Sequence, residues 1–364
     1  MIAVGAAICA LIVFSIWQRS KSIPVVIALK PLTPPLTADR REILAQLRAG
    51  EFGNLDRTLT SHESRAESDA AYEANAHLGF EAFSSNDAAL DEPLTQWVAK
   101  APRSYVAHLA LAEFLFHQGW TARGSAGVDQ TPHARFQRMN EFFAQGAKEV
   151  RAAIALNPHV SEAYQLLVQQ QRNNGPEDCI EAAKDGLRAA PASFTIRAQV
   201  MTCLQPRWGG SYRAMDQFAI AGQKYLDRNP RLRSLMGFAD SDRGESMWNV
   251  GNYAAAIGSF NRAIAEGGDN GLFYRQRGEV LSDARRFDEA IADLRRADQL
   301  WPQDPETMEY LAYALSERGD KRAALDKLNL ALEVGGPRPY AERLRNEIAL
   351  QFGSATEQKK AVGD

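Results

Sequence analysis

Four columns of residues recur every 34 positions between Gly244 and Ala331, and this repetition limits the possible folds more than any other feature. Gly244, Gly278 and Ala312 form one column, and Ala256, Ala290 and Ala324 a second. Phe260, Leu294 and Leu328 form the third, and Ala263, Ala297 and Ala331 the fourth. A repeat of this length is one supersecondary unit, which buries its apolar face only by stacking on copies of itself. From Asp39 onward the apolar residues follow helical spacing, and no stretch alternates as a strand does. The small columns let two helices approach closely, and the Phe/Leu column is expected to fill the space between successive hairpins. Gly251 and Gly319 fall in the turn between paired helices, where a left-handed residue is easiest; Arg285 stands at the same place in the middle unit.

These blocks resemble tetratricopeptide repeats over about residues 237–336, followed by a capping helix from Pro339 to Phe352 and a disordered tail over 353–364. Two positions depart from the pattern: Lys321 stands where Tyr253 and Phe287 supply an aromatic ring, and Arg285 stands in place of the turn glycine. The resemblance implies an all-α solenoid whose first helices line a concave groove. Carried over by position, that groove comprises Glu245, Trp248, Asn249, Arg275, Glu279, Asp283, Glu309, Tyr313 and Glu317. Its acidic and aromatic character favours a protein partner presenting a basic or amphipathic helix.

Residues 39–235 read as a less regular helical domain ahead of the array at 236–352. Helix ends are marked by Pro102, Pro158, Pro191 and Pro230, and two stretches interrupt the pattern. The first, 118–131, contains Trp120, Arg123 and Gly124, with Thr131 expected to cap the helix that restarts at Pro132. The second, "PRWGGS", supplies Arg207, Trp208, Gly209, Gly210 and the N-capping Ser211. Two readings stay open for these loops. They are structural joints, or Arg123, Arg207 and the backbone amides ahead of Ser211 converge on a carboxylate or phosphate. With the W-x-x-R-G and P-R-W-G-G-S stretches, residues 40–230 resemble a bacterial domain-of-unknown-function family, DUF4034, that precedes tetratricopeptide repeats. Cys179 and Cys203 are each 12 residues from Pro191, so a hairpin would set them at one height. Two buried thiols are the preferred reading, and a disulfide the alternative.

The chain opens on "MIAVGAAICALIVFSIW", uncharged from Ile2 to Trp17, and this predicts a transmembrane helix over 1–18. A linker over 19–38 follows, with prolines at 24, 31, 34 and 35. Arg19, Lys21, Lys30, Arg40 and Arg41 after the span place the body in the cytoplasm, against a bacterial inner membrane; the periplasmic orientation is the alternative. With 42 basic and 45 acidic residues the net charge is −3, which provides no footprint for nucleic acid. There is no P-loop, no H-E-x-x-H and no C-x-x-C spacing, and His108, His117 and His133 form no ligand pattern. No catalytic residue, cofactor or metal ion is expected. The leading function is therefore a membrane-anchored scaffold for a protein partner. The alternative is an enzyme or anion sensor with its site between the Trp120–Gly124 and Pro206–Ser211 loops.

Overall fold

The computed structural model describes residues 34–127 and 130–362 of the 364-residue chain. The expected membrane span at 1–18 and the linker up to residue 33 lie outside the described residues. No described helix is long and apolar enough to cross a membrane. The last linker residues are fixed on the body. The Thr37 N–H donates to Asn75 Oδ1 at 2.6 Å, and Asn75 Nδ2 donates to the Pro35 carbonyl at 3.1 Å.

Among the described residues every regular element is helical. The chain begins with α1 (Arg40–Arg48), α2 (Phe52–Ser68), α3 (Glu73–Glu81) and α4 (Asp91–Lys100). It continues with α5 (Tyr105–Arg123), α6 (His133–Leu156), α7 (Ser161–Gln171) and α8 (Pro176–Ala189). Then come α9 (Phe194–Cys203), α10 (Tyr212–Gly222), α11 (Phe238–Asn249) and α12 (Tyr253–Gly267). The end is formed by α13 (Gly271–Asp283), α14 (Phe287–Leu300), α15 (Pro305–Glu317), α16 (Lys321–Gly335) and α17 (Pro339–Val362). Local chemistry sets many of the starts. Asp39, Ser104, Ser193, Ser211, Asn252, Asn270, Asp304 and Asp320 each accept a first-turn N–H on a side-chain oxygen. The turns inside the three regular hairpins carry left-handed residues, with φ of 75° at Gly251, 59° at Arg285 and 88° at Gly319. Arginine therefore takes the conformation of the glycine it replaces.

The pairs α5/α6, α7/α8, α11/α12, α13/α14 and α15/α16 pack as hairpins. Their close approach comes from glycine set against a large side chain of the partner helix. A Cβ added to Gly244 would lie 2.7 Å from the Phe260 ring, and one on Gly278 would lie 2.6 Å from Leu294 Cγ. The large column thus fills the interior of each hairpin instead of the space between hairpins. In α5/α6, Gly119 faces Phe143 the same way, at 2.6 Å.

Five further expectations need correction. Helix α5 continues through Trp120 to Arg123, because "QGWTAR" contains no proline, and it stops only at Gly124 with φ 76°. Thr131 does not cap α6; its hydroxyl donates back to the carbonyls of Ala126 and Gly127 at 3.1 and 2.8 Å. Cys179 on α8 and Cys203 on α9 are joined in a disulfide, with Cα atoms 6.4 Å apart. The hairpin about Pro191 brings them to that separation. The last helix runs to Val362, beyond the predicted end at Phe352, through a stretch of Ala, Glu, Gln and Lys that favours helix. The boundary expected at 235/236 is bridged by one apolar cluster containing Leu232, Leu235, Phe238, Ala263 and Phe273.

The solenoid also closes on itself. Met308, Ala331 and Val334 of the last hairpin share a core with Ile43, Leu44, Leu47 and the other N-terminal apolar residues. Polar contacts seal the same seam. The Arg40 N–H donates to Gln303 Oε1 at 2.8 Å, and Arg41 pairs with Glu333 at 2.6 Å. The Asn86 N–H donates to the Gly335 carbonyl at 2.9 Å, and Trp301 Nε1 to Glu81 Oε2 at 2.7 Å. The first helices therefore lie against the last repeat, and the inner face is not an open groove along its whole length.

Candidate functional site

The nine positions expected to form the groove do not share one environment. Glu279 is 3% exposed and bonded to Arg275 at 2.6 Å. Burial pushes its carboxyl up to about 7 despite that arginine. Arg275 also meets Glu306 at 2.6 Å, so its charge is spent inside the protein. Glu309 is buried and pairs with Arg338. Glu245 turns away to Arg207, with 2.6 Å between Glu245 Oε2 and Arg207 Nη2. The charges of these four side chains are met by partners within the protein.

The other five lie at the surface or half-exposed, and four belong to two neighbouring groups on the rim. Trp248 Nε1 donates to exposed Asp283 at 2.7 Å. Arg285 pairs with Glu317 at 3.1 Å, and its guanidinium lies 5.3 Å from the Phe287 ring centre. Phe287 in turn meets Tyr313 edge-on at 5.9 Å. Asn249 is exposed at the end of α11. Four neighbouring elements, α11, α13, α14 and α15, thus present aromatic and acidic side chains side by side.

The two Arg/Trp/Gly loops do meet, but through their tryptophans. Trp120 and Trp208 pack edge-to-face at 6.4 Å, and Arg172 at the end of α7 stacks on both, at 5.1 and 5.9 Å. Burial lowers the Arg172 pKa to about 10. Arg123 and Arg207 do not converge. Arg123 is buried and donates to the carbonyls of Gly124 and Ala126, which fixes its own loop. Arg207 reaches α11 and bonds to Glu245 and to buried Asp242 at 2.9 Å. Gly209 adopts φ 89°, and a Cβ on Gly210 would strike the Leu204 carbonyl at 2.1 Å; both glycines are needed for the turn. Ser211 Oγ accepts the Ala214 N–H at 3.2 Å. Each residue has a structural task, and Arg172, which no motif flagged, holds the joint together.

The cluster with the strongest electrostatics lies elsewhere, on the inner helices of the N-terminal half. His77 on α3 contacts the two Glu162 oxygens at 2.5 and 3.0 Å and Glu81 at 3.4 Å. Burial disfavours its charge, but Glu162 and Glu81 hold its pKa at about 10. Glu81 also accepts from Arg40 and Trp301. Glu113 binds Ser84, and burial pushes its carboxyl up to about 7. Glu63 is 1% exposed, and burial followed by repulsion from Glu162 pushes it well up. Glu73 receives Phe194 N–H and Thr195 Oγ1, each at 2.6 Å, and so ties α3 to the start of α9. These residues are spread over 100 positions of sequence with no common spacing, and only the fold collects them. His108 bonds to Glu149 and His117 to Asn86, and they share no ligand.

A helical-hairpin repeat of 34 residues, capped by a final helix, makes this a tetratricopeptide-like protein, here with its first helices packed on its last repeat. Residues 38–177 match the family described as "Domain of unknown function (DUF4034)", and the His77 cluster lies within that segment. No curated protein matches the chain. Among solved structures, it is similar to the second TPR domain of the human RPAP3 protein in complex with an HSP70 peptide. There the identity is 23% over 30% of this chain and 92% of that one, with a TM-score of 0.29. MamA is 17% identical over 56% of this chain and 94% of its own, with a TM-score of 0.27. The APC/C hetero-tetramer Cut9–Hcn1 is 13% identical over 84% of this chain and 55% of that one, with a TM-score of 0.35.

Proposed function

We propose that the protein is a scaffold that holds a protein partner on the rim built by Trp248, Asp283, Arg285, Tyr313 and Glu317. The observation that carries this reading is the gathering of aromatic rings and exposed carboxylates along that rim. Aromatic faces and exposed carboxylates from successive hairpins form two bonded groups, Trp248 with Asp283 and Glu317 with Arg285, Phe287 and Tyr313. Asp283 lies close enough to Tyr313 to add to burial and Glu317 in raising its pKa, and the deeper carboxylates are consumed by internal arginines. A basic amphipathic helix fits such a rim, with its apolar side on Trp248 and Tyr313 and its cations toward Asp283 and Glu317. The test is charge reversal at the exposed positions only. Asp283→Lys with Glu317→Lys is expected to release a co-purifying partner while leaving the melting temperature within a few degrees of wild type. A partner retained at full yield contradicts the rim. Glu279 is unsuitable for such a test, since reversing a buried, paired carboxylate perturbs the fold itself.

We further propose that the apolar stretch 2–17 anchors the chain and that the body faces an extracytoplasmic, oxidising compartment. The Cys179–Cys203 bond supports this orientation, because structural disulfides persist where thiols are not kept reduced. It weighs against the orientation drawn from the basic residues after the span. Thiol alkylation of freshly lysed cells tests it. Both cysteines are expected to be blocked until a reductant is added, and free thiols before reduction argue for the cytoplasm.

A further inference from the structure

Between the N-terminal inner helices and the last repeats lies a cavity of about 270 Å³. Its wall is drawn from the whole length of the ring: His77 and Glu81 on α3, Phe194 and Gln199 on α9, Arg275 on α13, and Trp301 with Asp304 just ahead of α15. Arg231 enters this cavity from the turn of 3₁₀ helix at Pro230–Gly237. Its guanidinium is held between two rings, 5.0 Å from the centre of Phe194 and 4.9 Å from that of Trp301. Aromatic rings use none of the guanidinium's N–H donors as conventional acceptors would, so those donors stay available.

Those donors have no acceptor. Among the described residues the Arg231 side chain makes neither a hydrogen bond nor an ion pair; only its backbone N–H is engaged, by Asn229. The other charges on the wall are answered from within the protein. His77 is matched by Glu162 and Glu81, Glu81 by Arg40, Arg275 by Glu279 and Glu306, and Asp304 by Thr307. Arg231 is therefore a cation without a direct partner, with Glu73 and Glu81 only as more distant counter-charges, and it faces a small, half-open cavity. Burial lowers its pKa, so its charged form is under-solvated where it stands.

We propose that this cavity binds a small monocarboxylate with an apolar body, its carboxylate on the Arg231 guanidinium edge and its body against Ala198, Phe238 and Leu272. Arginine presents paired donors that match a carboxylate, and these side chains supply apolar contact. Glu81 and Asp304 on the same wall repel a second negative charge, which selects a carboxylate over a phosphate dianion. The volume lies just under the ~300–1,000 Å³ usual for ligand pockets, which limits the occupant to a compact molecule. Because the wall is drawn from α3, α9 and the last two repeats, the occupied site would tie both ends of the ring together. The site is separate from the partner rim, and either proposal can fail alone.

The test is thermal denaturation of the full-length protein with phenylacetate and hexanoate, against phenylacetamide and inorganic phosphate. The carboxylates are expected to raise Tm by a few degrees at roughly hundredfold excess over Kd, and the amide and phosphate to leave it unchanged. Arg231→Gln is expected to weaken carboxylate binding by roughly tenfold to hundredfold. Ala198→Leu, which fills the cavity and leaves Arg231 in place, is expected to abolish it. The proposal is overturned by no shift with either carboxylate, by an equal shift with the amide or phosphate, or by binding that survives in a folded Arg231→Gln protein. Should Arg231→Gln fail to fold, Ala198→Leu decides: retained binding overturns the proposal and lost binding supports it.

Discussion

Glu113 shows how much the interior of this protein depends on proton occupancy. It is buried against Ser84, and its carboxyl is pushed up to about 7 from an ordinary 4.5. The folded state then keeps a proton that the unfolded chain releases in the same pH range. Its stabilising contribution is complete below about pH 4.5 and is lost as pH rises through 7. Glu279 acts in the same direction over the same window. His77, held at about 10, contributes fully below its ordinary 6.5 and loses its contribution only as pH rises toward 10. Glu113→Gln keeps an acceptor for Ser84 but cannot ionise. Its stability relative to wild type should therefore climb between pH 5 and pH 8, by up to about 3 kcal/mol. Thermal melts of both proteins across that range check this, and a difference that stays flat with pH would show that Glu113 ionises freely in the folded state. None of this was legible in the sequence. His77 and Glu81 sit on α3, Glu113 on α5 and Glu162 on α7, and each reads singly as a solvated helix position. Packing between distant helices gathers them, and Trp301 from the last repeats reaches His77 and Glu81, a contact no local pattern encodes.

At the level of the element, the repeat period did carry the architecture. Gly244 and Gly278 were marked as sites of close approach, and the structure puts them against Phe260 and Leu294. Gly278→Leu drives a branched side chain into Leu294 and should cost at least the ~1–3 kcal/mol of core overpacking. Gly258, on α12 with nothing near its missing Cβ, is the control: Gly258→Ala should stabilise by about 0.5–1 kcal/mol. A Gly278→Leu protein that melts with wild type would mean that the hairpin seam is looser than described. The equivalent contact of Gly119 with Phe143 went unread because α5/α6 departs from the 34-residue period. The end of α5 was misplaced for a related reason. "QGWTAR" has the composition of a loop insertion, yet its helix propensity carries the helix to Gly124. The disulfide was foreseen only as an alternative, since equal distance from Pro191 fixes height but not which faces the cysteines occupy.

For the whole molecule, the account rests on closure. A tetratricopeptide-like array that stays open leaves its inner carboxylates in solvent. Here α1 packs on α16, Trp301 reaches Glu81, and the inner face becomes a partly enclosed space with the rim of the last repeats at its edge. The buried cluster at His77 and the cavity at Arg231 both include residues of this contact. A direct measurement uses Arg41 and Glu333, exposed side chains 292 residues apart in sequence that meet at 2.6 Å across the seam. In an Arg41→Cys/Glu333→Cys protein that also carries Cys9→Ser, a short bis-maleimide should link the two sites within one chain. The product is a monomer of altered gel mobility, and digestion should yield a single peptide pair joining α1 to α16. Failure to crosslink, or crosslinks only between separate molecules, would contradict the closed ring.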